Sequence, residues 1–167
     1  MNGPGQFRIE VATTDDTPLV LKFIKGLAEY EGLAHEVVAT EEGLRKAMFG
    51  PKPSAEAVIG YSGDEPIGFA LFFHTFSTFL GSSSLYLEDL FVLPEWRGKG
   101  LGRQLLSHLA RIAMDRDCQR LEWSVLDWNE PSIRFYRGLG ALPRDEWTIY
   151  RLSGEALEKL SGETHSV

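Results

Sequence analysis

Leu85-Tyr86-Leu87-Glu88-Asp89-Leu90-Phe91-Val92-Leu93-Pro94-Glu95-Trp96-Arg97-Gly98-Lys99-Gly100-Leu101-Gly102 carries an apolar strand through an acidic pair into a basic, glycine-rich turn that opens a helix. Such a turn suits a diphosphate. Backbone N–H groups at a helix start carry partial positive charge and lack intrahelical partners. Glycines let an anion approach the main chain, and Arg97, Lys99 and Arg103 add full charges. Spacing narrows the choice of cofactor. A nucleoside-triphosphate loop needs G-x-x-x-x-G-K-[ST], and Gly98-Lys99-Gly100-Leu101 lacks both the preceding glycine and the following hydroxyl. A dinucleotide fingerprint needs G-x-G-x-x-G, a register that Gly98-Lys99-Gly100-Leu101-Gly102 breaks. What remains is R-x-x-G-x-G, from Arg97 to Gly102, and by itself that hexapeptide serves equally well as a plain surface turn.

A second segment lies downstream. Asn129-Glu130-Pro131-Ser132-Ile133-Arg134-Phe135-Tyr136-Arg137-Gly138-Leu139-Gly140-Ala141 reads as a short helix begun by Asn129, with Pro131 in its first turn and a glycine stop after Tyr136. The two segments in this order resemble the acyl-CoA pyrophosphate loop and the N-x-x-[SA]-x-x-[FL]-Y-x-x-x-G-[FA] segment of the GNAT acetyltransferase superfamily. Tyr86 to Val92, Val125-Leu126-Asp127-Trp128-Asn129 and Leu27-Ala28-Glu29-Tyr30-Glu31 resemble its spermidine/spermine branch, which includes the thialysine acetyltransferases. The likeness runs from about Ile9 to the Leu157 region.

That resemblance implies an α+β (mixed α/β) fold. A central, mostly antiparallel twisted sheet carries helices on both faces and has a splayed central strand pair, Leu85–Val92 and Gln119–Val125. It also implies acetyl-CoA as cosubstrate. Leu90, Phe91 and Val92 would meet its pantetheine arm, with the backbone of Leu90 and Val92 forming the bonds. The loop of Arg97, Gly98, Lys99, Gly100, Leu101, Gly102 and Arg103 would hold the pyrophosphate, Asn129 would contact the pantetheine arm, Tyr136 would sit beside the cofactor sulfur, and Ser132 would also bind the cofactor. Tyr136 becomes the general acid to the departing thiolate, and Glu88 the base. Tyr30, Glu31, Glu88, an acid at Asp145-Glu146 and the aromatic wall of Trp147 would receive the amine. A homodimer is implied as well.

The chemistry is consistent with these roles. An alkylamine of pKa about 10.4 is almost wholly protonated at pH 7, so a site that makes it attack a thioester must remove a proton. Glu88 interrupts an otherwise apolar strand, where burial would raise its pKa into a useful range. Strict alternation would let only one of Glu88 and Asp89 face the cleft; the plain alternative is that Glu88 pairs with a basic neighbour. Tyr136 could equally be a packed core tyrosine. A phenol can protonate a thiolate, and the Leu90 N–H would steady the oxyanion. Ser77 and Phe79 stand where the polyamine enzymes usually have an Asp and a Trp, and the turn between Ala141 and Trp147 is shorter. Both departures favour a shorter diamine, lysine or a thialysine-like amino acid. Protein-lysine acetylation and a noncatalytic acyl-CoA sensor are the alternatives, and a covalent route through Cys118 is a third.

Composition sets outer bounds. A chain of 167 residues, 43% hydrophobic and 25% charged, is expected to form one soluble domain over 1–167, with a core at about 7–160 and a polar tail at 161–167. Its single cysteine excludes an internal disulfide. No apolar run approaches the roughly 20 residues of a membrane span, and Met1-Asn2-Gly3-Pro4-Gly5 lacks the features of a signal peptide, so a cytoplasmic protein is expected. A net charge of −7 disfavours nucleic acid and anionic membrane as partners and attracts cations. His35, His74, His108 and His165 are scattered without metal-ligand spacing, so no metal is expected.

Periodicity and punctuation place the elements. Phe7 to Val11 is a strand, and Asp15 or Asp16 caps a helix with Val20, Phe23, Ile24 and Leu27 on one face. A helix follows over Glu41 to Phe49. Ala55 to Tyr61 and Pro66 to Phe76 form a hairpin about Ser62-Gly63-Asp64-Glu65. Leu85 to Val92 is the central strand. The helix from Gly100 aims Leu101, Leu105, Leu109 and Ile112 at the sheet, and Gln119 to Val125 is the next strand. After the Asn129 helix, Trp147 to Leu152 is predicted as a last strand and Gly154 to Leu160 as a terminal helix, before a frayed tail from Ser161.

Overall fold

The computed structural model describes residues 7–163, so Met1 to Gly5 and the end of the predicted tail lie outside the described residues. Two compact units are distinguished, one ending at Ser124 and the other beginning at Val125.

The first unit runs β1 (Arg8–Val11), α1 (Thr17–Glu31), α2 (Glu41–Phe49), β2 (Glu56–Ser62), β3 (Glu65–Ser77), β4 (Ser82–Val92), α3 (Leu101–Asp115) and β5 (Leu121–Trp123). The strands form one sheet in the order β1-β2-β3-β4-β5. All neighbours are antiparallel except β4 and β5, which run parallel. This is the mixed α/β, mostly antiparallel sheet expected from the sequence.

Helix ends are set by local chemistry. Asp16 stands at the N-cap of α1, and its carboxylate accepts from the N–H (2.7 Å) and hydroxyl (2.9 Å) of Thr13. At the other end Gly32 takes φ +74, and the Leu33 N–H donates to Ala28 O at 2.8 Å, a closing pattern that fixes where Tyr30 and Glu31 leave the helix. Thr40 caps α2 by accepting from the Gly43 N–H at 3.1 Å.

Strand alternation sorts the two faces. Val20 and Phe23 of α1 and Met48 of α2 pack on Ala57, Ile59, Phe69, Leu71 and Phe91, and Phe23 stacks on Phe69 at 5.4 Å. The residues between these point the other way, toward α3, whose Leu101, Leu105 and Leu109 are fully buried. There the sheet narrows to glycine. A Cβ built at Gly60 would lie 2.7 Å from Leu101 Cδ1, and one at Gly68 would lie 2.6 Å from the Phe91 carbonyl oxygen and 3.0 Å from Leu101 Cδ2. Leu101 is thus seated over two missing side chains.

β5 is shorter than the predicted Gln119–Val125. Its pairing with β4 covers only Leu85↔Leu121, Tyr86↔Glu122 and Leu87↔Trp123, and among the described residues Glu88 to Val92 has no partner on that side. The strands part there, as the resemblance implies.

The second unit holds α4 (Glu130–Gly138) and α5 (Gly154–Ser161). Asn129 Oδ1 accepts from the Ser132 N–H at 3.3 Å, with Pro131 in the first turn of α4, as predicted. The predicted strand Trp147–Leu152 is not formed. Its residues are β-formers by type, but a strand exists only through ladder bonds to a neighbour, and among the described residues none is made there. Trp147, Ile149, Tyr150 and Leu152 are left exposed.

The glycine seat generates a prediction. Gly60→Ala and Gly68→Ala should each destabilise the chain by about 2 kcal/mol in urea unfolding. Leu101→Ala should restore part of the loss at Gly60, where the clash is a side chain. It should restore less at Gly68, where a backbone carbonyl is met first.

Candidate functional site

The ladder between β3 and β4 contains one residue too many. Its pairs run Gly68↔Val92, Phe69↔Phe91, Ala70↔Leu90 and Leu71↔Asp89, then jump to Phe72↔Leu87. Glu88 is the unpaired extra residue, a β-bulge. The bulge breaks the alternation by which only one of Glu88 and Asp89 would face the cleft. Asp89 pairs with Leu71 and so shares the α1 face of the sheet, while Glu88 is exposed beside it.

The bulge also redistributes the electrostatics. Burial was expected to raise the carboxyl of Glu88, yet Glu88 is exposed and the desolvated acid is Asp89. Burial first, and then the charges of Glu88 and Glu31, push Asp89 up to about 6. Glu31, delivered by the end of α1, is itself raised by burial. Glu88 on its own strand and Glu31 from α1 thus both bear on the Asp89 carboxyl.

Beyond the bulge the backbone is oriented by one bond. The Leu93 N–H donates to Ile67 O at 2.9 Å, which sets the phase of the antiparallel ladder. Residues 91 and 93 then bond toward β3, and the main-chain groups of Leu90 and Val92 point away, to the side β5 has left. Arg97 Nε donates to the Val92 carbonyl at 3.0 Å. The side chain of Phe91 belongs to the core and its main chain bonds toward β3, so, against the expectation, it offers neither to the open side.

After β4, a 3₁₀ turn at Pro94–Trp96 leads into Arg97 and then Gly98 and Gly100, at φ +74 and +96. Nothing lies within 4 Å of where their Cβ atoms would stand, so the loop is open to an approaching group. The N-cap Gly100 supplies no side-chain cap, and the first-turn N–H groups of Leu101, Gly102 and Arg103 precede the first intrahelical bond, from the Gln104 N–H to Gly100 O at 3.1 Å. Arg103 is exposed, and the Lys99 ammonium lies 4.5 Å from the Trp96 ring centre. The Arg97 guanidinium turns back over Tyr30 (4.6 Å) and Phe91 (5.5 Å) and so ties α1 to β4. A groove of about 790 Å3 opens along this contact, lined by Lys22, Lys25 and Tyr30 of α1 and by Leu93, Pro94 and Arg97.

In the second unit, α4 carries Ser132 and Tyr136, with the Phe135 and Tyr136 ring centres 5.4 Å apart. Glu146 is held by Arg144, whose Nε donates to it at 2.7 Å and lowers its pKa; Trp147 is exposed. Cys118 is buried, with its thiol toward Arg116 O. Among the described residues, no group of three or more His, Cys, Asp or Glu is placed to hold a metal, and no helix is long and apolar enough to cross a membrane.

Asp89 makes stability depend on pH. Its folded pKa of about 6 exceeds the value near 3.9 of an unfolded chain, so the folded state keeps a proton that the unfolded state has lost. Stability therefore falls as pH rises through that window. Asp89→Asn should be more stable than the parent at pH 8 by on the order of 1 kcal/mol, allowing for partial exposure, and the gap should close by pH 4 in urea melts.

Residues 25–141 match the model of the Acetyltransferase (GNAT) family. A thialysine N-epsilon-acetyltransferase of Caenorhabditis elegans is 37% identical over 160 residues, covering 94% of this chain and 98% of the relative. An L-ornithine N5-acetyltransferase of Arabidopsis thaliana is 31% identical over 198 residues, covering 92% and 87%. Among solved structures, an integron cassette protein of V. cholerae superposes with a TM-score of 0.77 at 31% identity, covering 94% of this chain and 98% of that one.

Proposed function

We propose, from the premise that this chain belongs to the GNAT acetyltransferase family, that it moves an acetyl group from acetyl-CoA to the primary amine of a small cationic substrate, by direct transfer in a ternary complex. That it is an N-acetyltransferase follows from the family and its named relatives. The substrate class, a thialysine- or lysine-like amino acid, ornithine, a diamine or a polyamine, is supported by those relatives' names. One structural observation carries the reading. β4 leaves its β5 side open over Glu88 to Val92, with carboxylates where that opening begins and an uncapped helix N-terminus beyond its end.

The loop fits acetyl-CoA, which supplies an electrophilic thioester carbonyl. The N–H groups of Leu101, Gly102 and Arg103, with the charges of Lys99 and Arg103, would hold the diphosphate across the open space at Gly98 and Gly100. Arg97 is engaged with Val92, Tyr30 and Phe91, so its part is to position the loop against α1 as well as to add charge. The outward backbone of Leu90 would bond the pantetheine arm and steady negative charge developing on the carbonyl oxygen. Val92, Asn129 and Ser132 complete the cofactor side.

Glu88 and its neighbour Asp89 would take the proton from the incoming ammonium, Glu88 from water and Asp89 from a partly desolvated position. Tyr30, Glu31, Glu146 and Trp147 are assigned to the amine. Tyr136 would return a proton to the departing thiolate. A single catalytic domain over 1–167, a homodimer and a cytoplasmic location complete the proposal.

Acetyl-CoA with thialysine, lysine, ornithine, putrescine, spermidine and a histone-like peptide, followed by free thiol and product mass, tests it. Acetylation of a small amine is expected, and cofactor binding without turnover on any of them would overturn the reading. Tyr136→Phe should lower kcat by about 100-fold while KM for acetyl-CoA stays within about twofold. An unchanged kcat would remove Tyr136 from the acid role.

A further inference from the structure

The α1 face of the sheet continues past the end of α1, and there it becomes polar. Beyond Leu71 and Asp89, the pairs on this face are Phe73↔Tyr86 and Thr75↔Ser84. β5 adds Glu122 beside Tyr86, and by alternation Ser124 shares that face, its hydroxyl 2.7 Å from the Tyr86 hydroxyl. Glu122 is half-buried and forms no ion pair among the described residues. Next to Tyr86 on the same face lies Ser84, 1% exposed, whose hydroxyl has no hydrogen-bond partner. A half-buried carboxylate with no ion pair and a buried donor with no hydrogen-bond partner among the described residues thus line one strip of sheet.

The strip has a defined distance from the acidic bulge. Tyr86 precedes Glu88 by two extended residues, roughly 7 Å, and Glu122 sits one strand spacing of about 4.8 Å to the side. An amine held at the bulge for acetylation would place the far end of a four- or five-carbon chain, on the order of 7 Å long, at this strip. A second ammonium would find an anion there, and a carboxylate would meet like charge.

We infer that Glu122 is the carboxylate that receives the second cationic group of the acceptor, making this chain selective for an α,ω-diamine over the amino acid of the same length. The inference rests on the amine-acetyltransferase reading above and names the acceptor within it. Tyr86, fixed by Ser124, would donate to or accept from the same end of the substrate.

Three acceptors share a reacting amine and a five-carbon chain: 1,5-diaminopentane, pentylamine, and lysine, which adds a carboxylate. With the full chain and acetyl-CoA, kcat/KM for 1,5-diaminopentane should exceed that for pentylamine by about fivefold, and that for lysine by at least as much. Glu122→Gln, which keeps shape and removes charge, should bring the diamine-to-pentylamine ratio down to about two, the statistical factor for two equivalent amines, and Glu122→Asp should restore part of the preference. A ratio that Glu122→Gln leaves unchanged would overturn the inference while leaving the amine-acetyltransferase reading intact. Absence of turnover on all three acceptors and on the wider amine panel would overturn both.

Discussion

The contact of Leu101 with the bare backbone of β2 and β3 is the constraint on which the rest of the first unit depends. Gly60 and Gly68 lack the side chains that would hold α3 off the sheet, so the helix begins in direct contact with two strands. Because Leu101 is the first residue of α3, that contact also fixes the turn before it, where Gly98 and Gly100 take positive φ. A packing rule inside the core therefore sets the position of backbone donors outside it. The basic side chains come second to this arrangement: Lys99 rests on Trp96, and Arg97 is committed to Val92, Tyr30 and Phe91.

From that anchored end, β4 runs back along β3 with its backbone phase set by the Leu93–Ile67 bond. The phase would present Leu90 and Val92 to β5, had β5 not ended its pairing at Trp123. The bulge then gathers acids that a regular strand would have separated. Asp89 lies on the face covered by α1, Glu31 arrives from the end of that helix, and Glu88 stands exposed. Crowded, partly dry carboxyl groups favour whatever brings positive charge among them.

Much of this was legible in the sequence. The β2–β3 hairpin, the amphipathic stripes of α1 and α3, and the Asn129 cap rest on local rules, and each formed near its expected place. Two readings failed for the same reason. Trp147–Leu152 has a strand's residue types, and the pair Glu88-Asp89 has the spacing of opposite faces, yet both outcomes depend on what a neighbouring strand does. A ladder partner was missing in the first case, and a register jump opposite Phe72 intervened in the second. The standing of Glu122 was hidden likewise, because nothing local to Leu121-Glu122-Trp123 says that it lies beside Tyr86. Acidic residues near the motif could be recognised from type and position; which of them is dry could not.

Glu88 has one more property. If it were deleted, Leu87, Asp89 and Leu90 would fall into plain alternation, each still on the face it now occupies. The sheet would gain regularity and the core would lose nothing, so this position is surplus to folding. A residue that architecture does not require is free to be kept or exchanged for its chemistry alone. The strand thus separates the part of its sequence answerable to stability from the part answerable to reactivity, one residue wide.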